Sequence, residues 1–71
     1  MTIKDIERIG DNIQGDIVYY LEELTPVGIT LIYFRIFNSL LKYVKENYND
    51  NLVRKDDASV SIVGVRLWRK D

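Results

Sequence analysis

Carboxylates are the side chains of this chain best suited to catalysis, because its 71 residues include neither histidine nor cysteine. General acid–base chemistry without histidine must use carboxylates, lysine or tyrosine. The carboxylates closest together in sequence are the adjacent pairs Glu22–Glu23 and Asp56–Asp57. Neighbouring side chains point to different faces of a strand or helix, so neither pair converges on one reacting atom. We therefore expect a protein that is not an enzyme.

Nucleophiles, phosphate-binding loops and metal ligands are equally sparse. Ser39, Ser59 and Ser61 have no histidine to activate them, and the four glycines are scattered rather than grouped into a phosphate-binding loop. Asn47–Asn51 places oxygen ligands at alternate positions but lacks the glycine and the distal glutamate of a calcium loop. Thiolate and imidazole metal sites are excluded. We expect no catalytic residue, no metal, no cofactor and no small-molecule substrate.

The elements that hold these residues are those of a small, single α+β domain over residues 1–71, a length that allows one core. The predicted order is an N-terminal helix, a strand, a long central helix and a C-terminal strand or hairpin. Thr2 and Asp5 stand in a capping-box arrangement, and isoleucines at helical spacing follow them. The first helix is expected to end near Asn12.

Residues 16–24 fit two structures. Ile17, Leu21 and Leu24 fit one face of a helix, whereas the run of Ile, Val and two Tyr after Gly15 favours a strand. We predict a strand.

Thr25 and Pro26 form the clearest start signal in the chain, with threonine at the N-cap and proline at the first helical position. Apolar residues then recur with a helical period as far as Tyr48, which predicts a long helix over 26–48. The alternative is a hairpin turn at 25–28, a strand over 29–37 and a shorter helix capped by Asn38. Its support is the β-branched and aromatic composition of 29–37. We favour the long helix, because a pattern over a long window outranks local propensity.

The C-terminal third is predicted to form strands after the helix ends at residues 49–51. Residues 52–55 form a possible short strand, residues 56–57 a turn, and residues 59–69 the main strand. The alternation of this strand slips once beside Gly64, which indicates a β-bulge. The bulge turns Val60, Ile62, Val65 and Leu67 inward and Arg66, Trp68 and Lys70 outward.

The predicted central helix carries a candidate protein interface, because apolar residues cover roughly twice the arc that a surface helix needs. One side consists of Ile29, Ile32, Ile36 and Leu40. The second side consists of Phe34, Phe37, Leu41, Val44 and Tyr48. Together with Leu31, which extends the apolar arc near the N-terminal end, it is the candidate protein interface. Either another copy or a partner protein covers this second side, or the first helix covers it within the monomer.

Basic residues around Trp68 suggest a second surface, since a tryptophan among cations can stack on nucleic-acid bases or anchor a protein interface. Arg, Lys and Trp side chains that could contact nucleic acid or a partner are Arg35, Lys42, Lys45, Arg54, Lys55, Arg66, Trp68, Arg69 and Lys70. In the alternative interpretation Trp68 closes one end of the core and the charges solvate a chain terminus. Acidic residues nearby weaken the attraction for phosphate.

These features predict a non-catalytic protein-interaction module that acts as a homodimer or as a small stoichiometric binder or inhibitor of a larger protein. The alternative is a small nucleic-acid-binding regulatory protein that uses the basic C-terminal strand and Trp68. Net charge is −1, yet residues 1–25 carry two cations and six carboxylates while residues 26–71 carry eight and five. Such a charge dipole favours a partner on one side.

Composition also bears on location and origin. Residues 1–16 are polar and charged, which does not predict a signal peptide, and Val27–Phe34 is too short an apolar run to span a membrane. We expect a cytoplasmic protein with no membrane partner. Richness in Ile, Asn, Tyr and Lys with a single Ala is typical of an AT-rich genome and suits a viral or mobile-element protein.

Overall fold

Two helices and three strands make up the computed structural model, which describes residues 1–11 and 15–69. The elements are α1 (Ile3–Asp11), β1 (Ile17–Thr25), β2 (Gly28–Phe34), α2 (Phe37–Asn47) and β3 (Ser61–Arg69). The strands form one antiparallel sheet in the order β2–β1–β3. The predicted α+β class is confirmed, with a helix, a strand, a central helix and a C-terminal strand in the expected order.

Helix α1 begins at the predicted capping box. The backbone amide of Thr2 donates to Asp5 Oδ2 at 2.8 Å, and the amide of Asp5 donates to Thr2 Oγ1 at 3.3 Å. Hydrogen bonding from Thr2 lowers the pKa of Asp5. Near the other end a Cβ on Gly10 would lie 2.8 Å from Phe37 Cζ, so glycine allows α1 and α2 to approach closely. The expected end near Asn12 lies outside the described residues.

The long helix predicted over 26–48 is wrong, because residues 28–34 form strand β2. Residues 25–28 form the hairpin turn, in which Thr25 Oγ1 donates to the carbonyl of Gly28 at 2.8 Å. Gly28 has φ +130°, a conformation that favours glycine. Pairing with β1 satisfies the backbone of β2, and its β-branched and aromatic residues suit a pleated strand. The strand predicted for 16–24 is confirmed as β1.

Helix α2 is therefore short and starts at Phe37. Its N-cap is Ile36, which makes no side-chain cap hydrogen bond, so Asn38 lies inside the helix and does not cap it. The carbonyl of Ile36 accepts from the amides of Ser39 and Leu40. The helix ends near the predicted position, with Tyr48 as its C-cap.

The segment between α2 and β3 forms isolated bridges, and the short strand suggested for 52–55 is not present there. Val53 pairs with Ser61, and Arg54 pairs with Tyr48. The backbone amides of Asn51 and Val53 donate to the side-chain oxygen of Asn49, which closes a tight turn.

Strand β3 contains the predicted bulge. The register with β1 shifts between Glu22, which is opposite Gly64, and Glu23, which is opposite Ile62. Val60 and Ile62 are buried as expected, and Val65 packs against the core. Leu67 does not face a covered core: it is exposed, because the helices pack on β1 and β2 rather than on this end of β3.

The sheet has two faces of different character, as strand alternation requires. The helix-covered face contains Tyr19, Leu21 and Glu23 of β1, and both helices pack on it. Buried residues of the core here are Ile6, Ile17, Tyr19, Leu21, Leu40, Val44, Tyr48, Leu52 and Ile62. The opposite side, which we call the open face, is defined by Tyr20, Glu22, Leu24, Ile29, Leu31, Tyr33, Arg66 and Trp68.

Candidate protein-interaction surface

Glu23 organises a polar cluster within the helix-covered face, where it is only 6% exposed. Its Oε2 accepts hydrogen bonds from the hydroxyls of Tyr48 and Tyr43, the latter at 3.2 Å. The guanidinium of Arg54 approaches the same oxygen at 3.7 Å. Burial, followed by the Glu23 carboxylate, raises the pKa of Tyr43. The cluster joins β1 to α2 and to the segment before β3, and protein groups enclose it.

The two adjacent carboxylate pairs diverge, as their spacing predicts. Glu22 lies on the open face and accepts from Arg66 Nε at 3.0 Å, whereas Glu23 is buried on the other side of the sheet. Asp56 pairs with Arg54. Its neighbour Asp57 accepts from the hydroxyl of Ser59 at 2.6 Å and from its amide at 3.0 Å, and these bonds lower the pKa of Asp57. Neither pair brings two carboxylates to one point.

The open face carries exposed apolar side chains on all three strands. Leu31 is 54% exposed and Trp68 is 56% exposed, at opposite edges of the sheet. Leu24, Ile29 and Tyr33 are also exposed by more than two-fifths of their surface. An exposed apolar area of this kind is unusual on a monomer and is typical of an interaction site.

A hollow of about 430 Å³ is lined by Tyr20, Leu31, Arg66 and Trp68 of the open face and by Leu67, which lies between Arg66 and Trp68 on β3. The rings of Tyr20 and Tyr33 contact each other with centroids 5.9 Å apart. Arg35 donates from Nε to the Tyr33 hydroxyl. Aromatic rings therefore concentrate at the end of the sheet away from the hairpin turn, and aliphatic side chains concentrate near the turn.

The hairpin turn extends the aliphatic end of the open face. Val27 is 96% exposed, next to the exposed Leu24 and Ile29. The turn is held by Thr25, whose hydroxyl also accepts from the amide of Val27 at 3.3 Å. An apolar side chain on a hydrogen-bonded turn is presented in a fixed position, which lowers the entropy lost on binding.

The predicted helical interface is divided among three environments. Leu31 and Phe34 belong to β2, where Leu31 lies on the open face and Phe34 packs towards the core. Val44 and Tyr48 are fully buried in the core. Phe37 and Leu41 are partly buried against it. These six residues do not lie on one helix, because residues 28–34 form strand β2 and α2 begins at Phe37. Of the six, only Leu31 lies on the open face.

The candidate basic residues do not form one surface either, and several of them pair with carboxylates or with other protein groups. Lys45 contacts Glu7 at 2.9 Å, and Lys55 donates to the carbonyl of Lys45 at 3.1 Å. Arg54 belongs to the Glu23 cluster, and Arg66 pairs with Glu22 on the open face. Arg35 and Trp68 lie at the aromatic end, and Lys42 and Arg69 are exposed elsewhere. Lys70 lies outside the described residues.

A second cleft, of about 720 Å³, lies between the start of α1 and the turn after α2. Lys4, Glu7, Lys45 and Lys55 line it together with Tyr48. The Lys45–Glu7 ion pair crosses this cleft and neutralises part of its charge. Charged side chains of both signs line this cleft, whereas Arg66 is the one charged residue, among those the structure describes, that lines the hollow of the open face.

Several residues of the open face were missed from the sequence, chiefly Ile29, Tyr33, Leu24 and Tyr20. The signal that could have found Ile29 and Tyr33 is the run 29–34, which is apolar at almost every position. A strand with that composition places apolar side chains on both faces of its sheet. A small domain with two short helices can cover only one of those faces.

No protein-family model matches this chain, and neither curated proteins nor solved structures include a detectable match. Within residues 1–11 and 15–69, no helix is both long and apolar enough to cross a membrane.

Proposed function

We propose that this protein is a non-catalytic, cytoplasmic protein-interaction module that docks through the open face of its sheet. The observation that carries the proposal is the exposure of Leu31 and its apolar neighbours on one uncovered sheet face. Burying such side chains against a partner contributes roughly 25 cal/mol per Å². Aromatic side chains and arginine, which this face contains, are also enriched at protein interfaces.

The experiment is affinity capture from the source cell with wild-type protein and two aspartate variants. Leu31→Asp places a charge at the centre of the apolar row and is expected to abolish recovery of the partner. Ile36→Asp is the matched control, because Ile36 is also an exposed aliphatic residue but caps α2 outside the strands. Aspartate is a favoured N-cap residue, so this control should fold at least as well as wild type. Equal recovery with both variants contradicts the proposal.

A nucleic-acid-binding function is the second candidate, supported by the aromatic end of the open face. Tyr20, Tyr33 and Trp68 could stack on bases, with Arg35 and Arg66 nearby. The pairing of Arg66 with Glu22 and the net charge of −1 weaken this candidate. Trp68 is the single tryptophan, so its fluorescence reports directly on this surface. For a protein-interaction module we expect no quenching by single-stranded oligonucleotides at low salt; salt-sensitive quenching would favour the second candidate.

A further inference from the structure

We propose that the open face is covered by a second copy of this chain, packed face to face about a two-fold axis that runs across the strands. This inference rests on the proposed function, since it names the occupant of the same surface. Glu22 of each copy then pairs with Arg66 of the other. Leu31 of each copy then packs on Tyr33 of the other. Four lines of reasoning support this occupant and this orientation.

Shape is the first. Two twisted sheets pack face to face about 10 Å apart with their strands about 30° apart, because both have the same hand of twist. The open face of this chain is one such sheet surface, so a second copy is complementary to it in shape. A copy is also present at the same concentration as the protein itself.

Area is the second. Strands of nine residues at about 3.3 Å each, set about 4.8 Å apart, give the three-stranded sheet a footprint of about 400 Å². Projecting side chains and the turn residue Val27 add to the accessible area. A standard interface buries about 800 Å² per partner, so this face supports a small interface. The expected dimer is weak, with a Kd of about 10 µM or higher.

The third line of reasoning is the position of the charged residues Glu22 and Arg66, which determines the direction of the two-fold axis. Tyr20 is opposite Arg66 in the β1–β3 register, and Glu22 lies two residues further along β1. Leu21, at the middle of β1, separates these two levels. An axis across the strands at Leu21 therefore exchanges the level of Glu22 with the level of Arg66. Each Arg66 then lies at the level of Glu22 of the second copy, on the neighbouring strand.

The other in-plane axis is unfavourable. An axis along β1 would place Glu22 of one copy over Glu22 of the second copy, and like charges opposed in an interface are repulsive. It would also bring the two Arg35 residues to the same end. The axis across the strands separates them by about 20 Å, because Arg35 lies three residues beyond the level of Leu21.

The apolar contacts agree with the axis across the strands. Leu31 is opposite Glu22 in the β1–β2 register, and Tyr33 is opposite Tyr20. The exchange of these two levels places each Leu31 on the ring of Tyr33 of the second copy. Trp68, opposite Val18 near one end of β1, comes to lie beside Leu24 of the second copy. The single tryptophan thus becomes buried when the dimer forms.

The test combines sedimentation equilibrium with Trp68 emission between about 1 µM and 1 mM, a range that brackets weak association. We expect a concentration-dependent dimer and a parallel shift of the emission to shorter wavelength. Leu31→Asp should raise the Kd by about tenfold or more, and Ile36→Asp should leave the Kd unchanged. Circular dichroism checks that the variants are folded.

A charge exchange tests the pairing itself. Glu22→Arg and Arg66→Glu should each weaken self-association, because each opposes two like charges across the axis. A one-to-one mixture of the two variants should form a heterodimer, in which every opposed pair is attractive again.

Three results would overturn the inference. The first is that the chain remains monomeric at about 1 mM. The second is dimerisation with no change in Trp68 emission, which pairing at the sheet edges would produce. The third is that the mixed variants do not associate with each other. None of these decides the proposed function. If capture still distinguishes Leu31→Asp from Ile36→Asp, a different protein occupies the open face.

Discussion

The two faces of the sheet contain the same kinds of side chain but differ in how far those side chains are buried. On the helix-covered face, Leu21 is fully buried and the carboxylate of Glu23 is enclosed by two tyrosines and an arginine. On the open face, Leu31 is exposed and Glu22 forms a surface ion pair with Arg66. Residue type alone therefore does not distinguish the core from the open face. The position of the two short helices, which cover only one face, makes this distinction.

This difference shows how a very small domain can leave one apolar face of its sheet uncovered. A chain of this length buries only about 60% of the surface that its unfolded form exposes, so part of its apolar composition stays in contact with solvent. Here much of that part is collected on one sheet face, while Met1, Ile36 and Leu67 are exposed elsewhere. The buried core cluster lies on the other face.

The largest expected effect is the difference in unfolding free energy between two leucine-to-alanine substitutions, one on each face of the sheet. Leu21→Ala should lower the free energy of unfolding by about 2–5 kcal/mol, since it removes buried methyl groups and leaves a cavity. Leu31→Ala should change it by less than about 0.5 kcal/mol in the monomer. Urea unfolding at a concentration below the dimerisation range measures both. Equal losses would show that the open face belongs to the folding core.

The adjacent glutamates give a smaller contrast. Glu23→Gln keeps the size of the side chain but replaces the charge that accepts from Tyr43, Tyr48 and Arg54. It should cost about 1–3 kcal/mol of unfolding free energy. Glu22→Gln weakens the pair with Arg66, whose side chain is 72% exposed, and should cost about 1 kcal/mol or less.

Urea unfolding of these two variants is the measurement, and each serves as the control for the other. If Glu22→Gln proves the more destabilising of the two, the cluster around Glu23 does not hold β1 to α2.

The order of elements could be read from the sequence because its signals are local. The capping box at Thr2, the β-rich run after Gly15 and the slip beside Gly64 each depend on a few neighbouring residues. All three were predicted correctly, since the structure forms a hydrogen-bonded cap, strand β1 and a bulge at these places.

The central helix was predicted too long because the run 29–34 is apolar at almost every position. Such a run satisfies a period of 3.6 and a period of 2 equally well, so periodicity cannot distinguish a helix from a strand buried on both sides. Threonine followed by proline was also ambiguous, since the pair starts a hairpin turn as readily as a helix. Pairing with β1, a contact between separate segments, decided the outcome.

The candidate surface was the least predictable part. It depends on which face of the sheet the helices cover, and this is a tertiary choice that no single segment encodes. Trp68 was correctly expected to point outward beside Arg66, because the bulge fixes the alternation of β3. Leu31 was assigned to an interface for a reason that was wrong, the face of a long helix. Val44 and Tyr48 were assigned to it for the same reason and are buried.

The smallest effect concerns pH and again separates the two faces. Burial on the helix-covered side, with Glu23 beside it, raises the pKa of Tyr43 above its ordinary value of 10.0. Above that pH the unfolded chain loses the tyrosine proton while the folded protein keeps it, so the unfolded state binds fewer protons and stability falls as pH rises. Below the ordinary value this contribution is fully present. Tyr43→Phe removes the titrating group and should flatten the decline of unfolding free energy above about pH 10, measured by urea unfolding across the alkaline range. Parallel declines in wild type and variant would show that Tyr43 is not the group through which the buried cluster responds to pH.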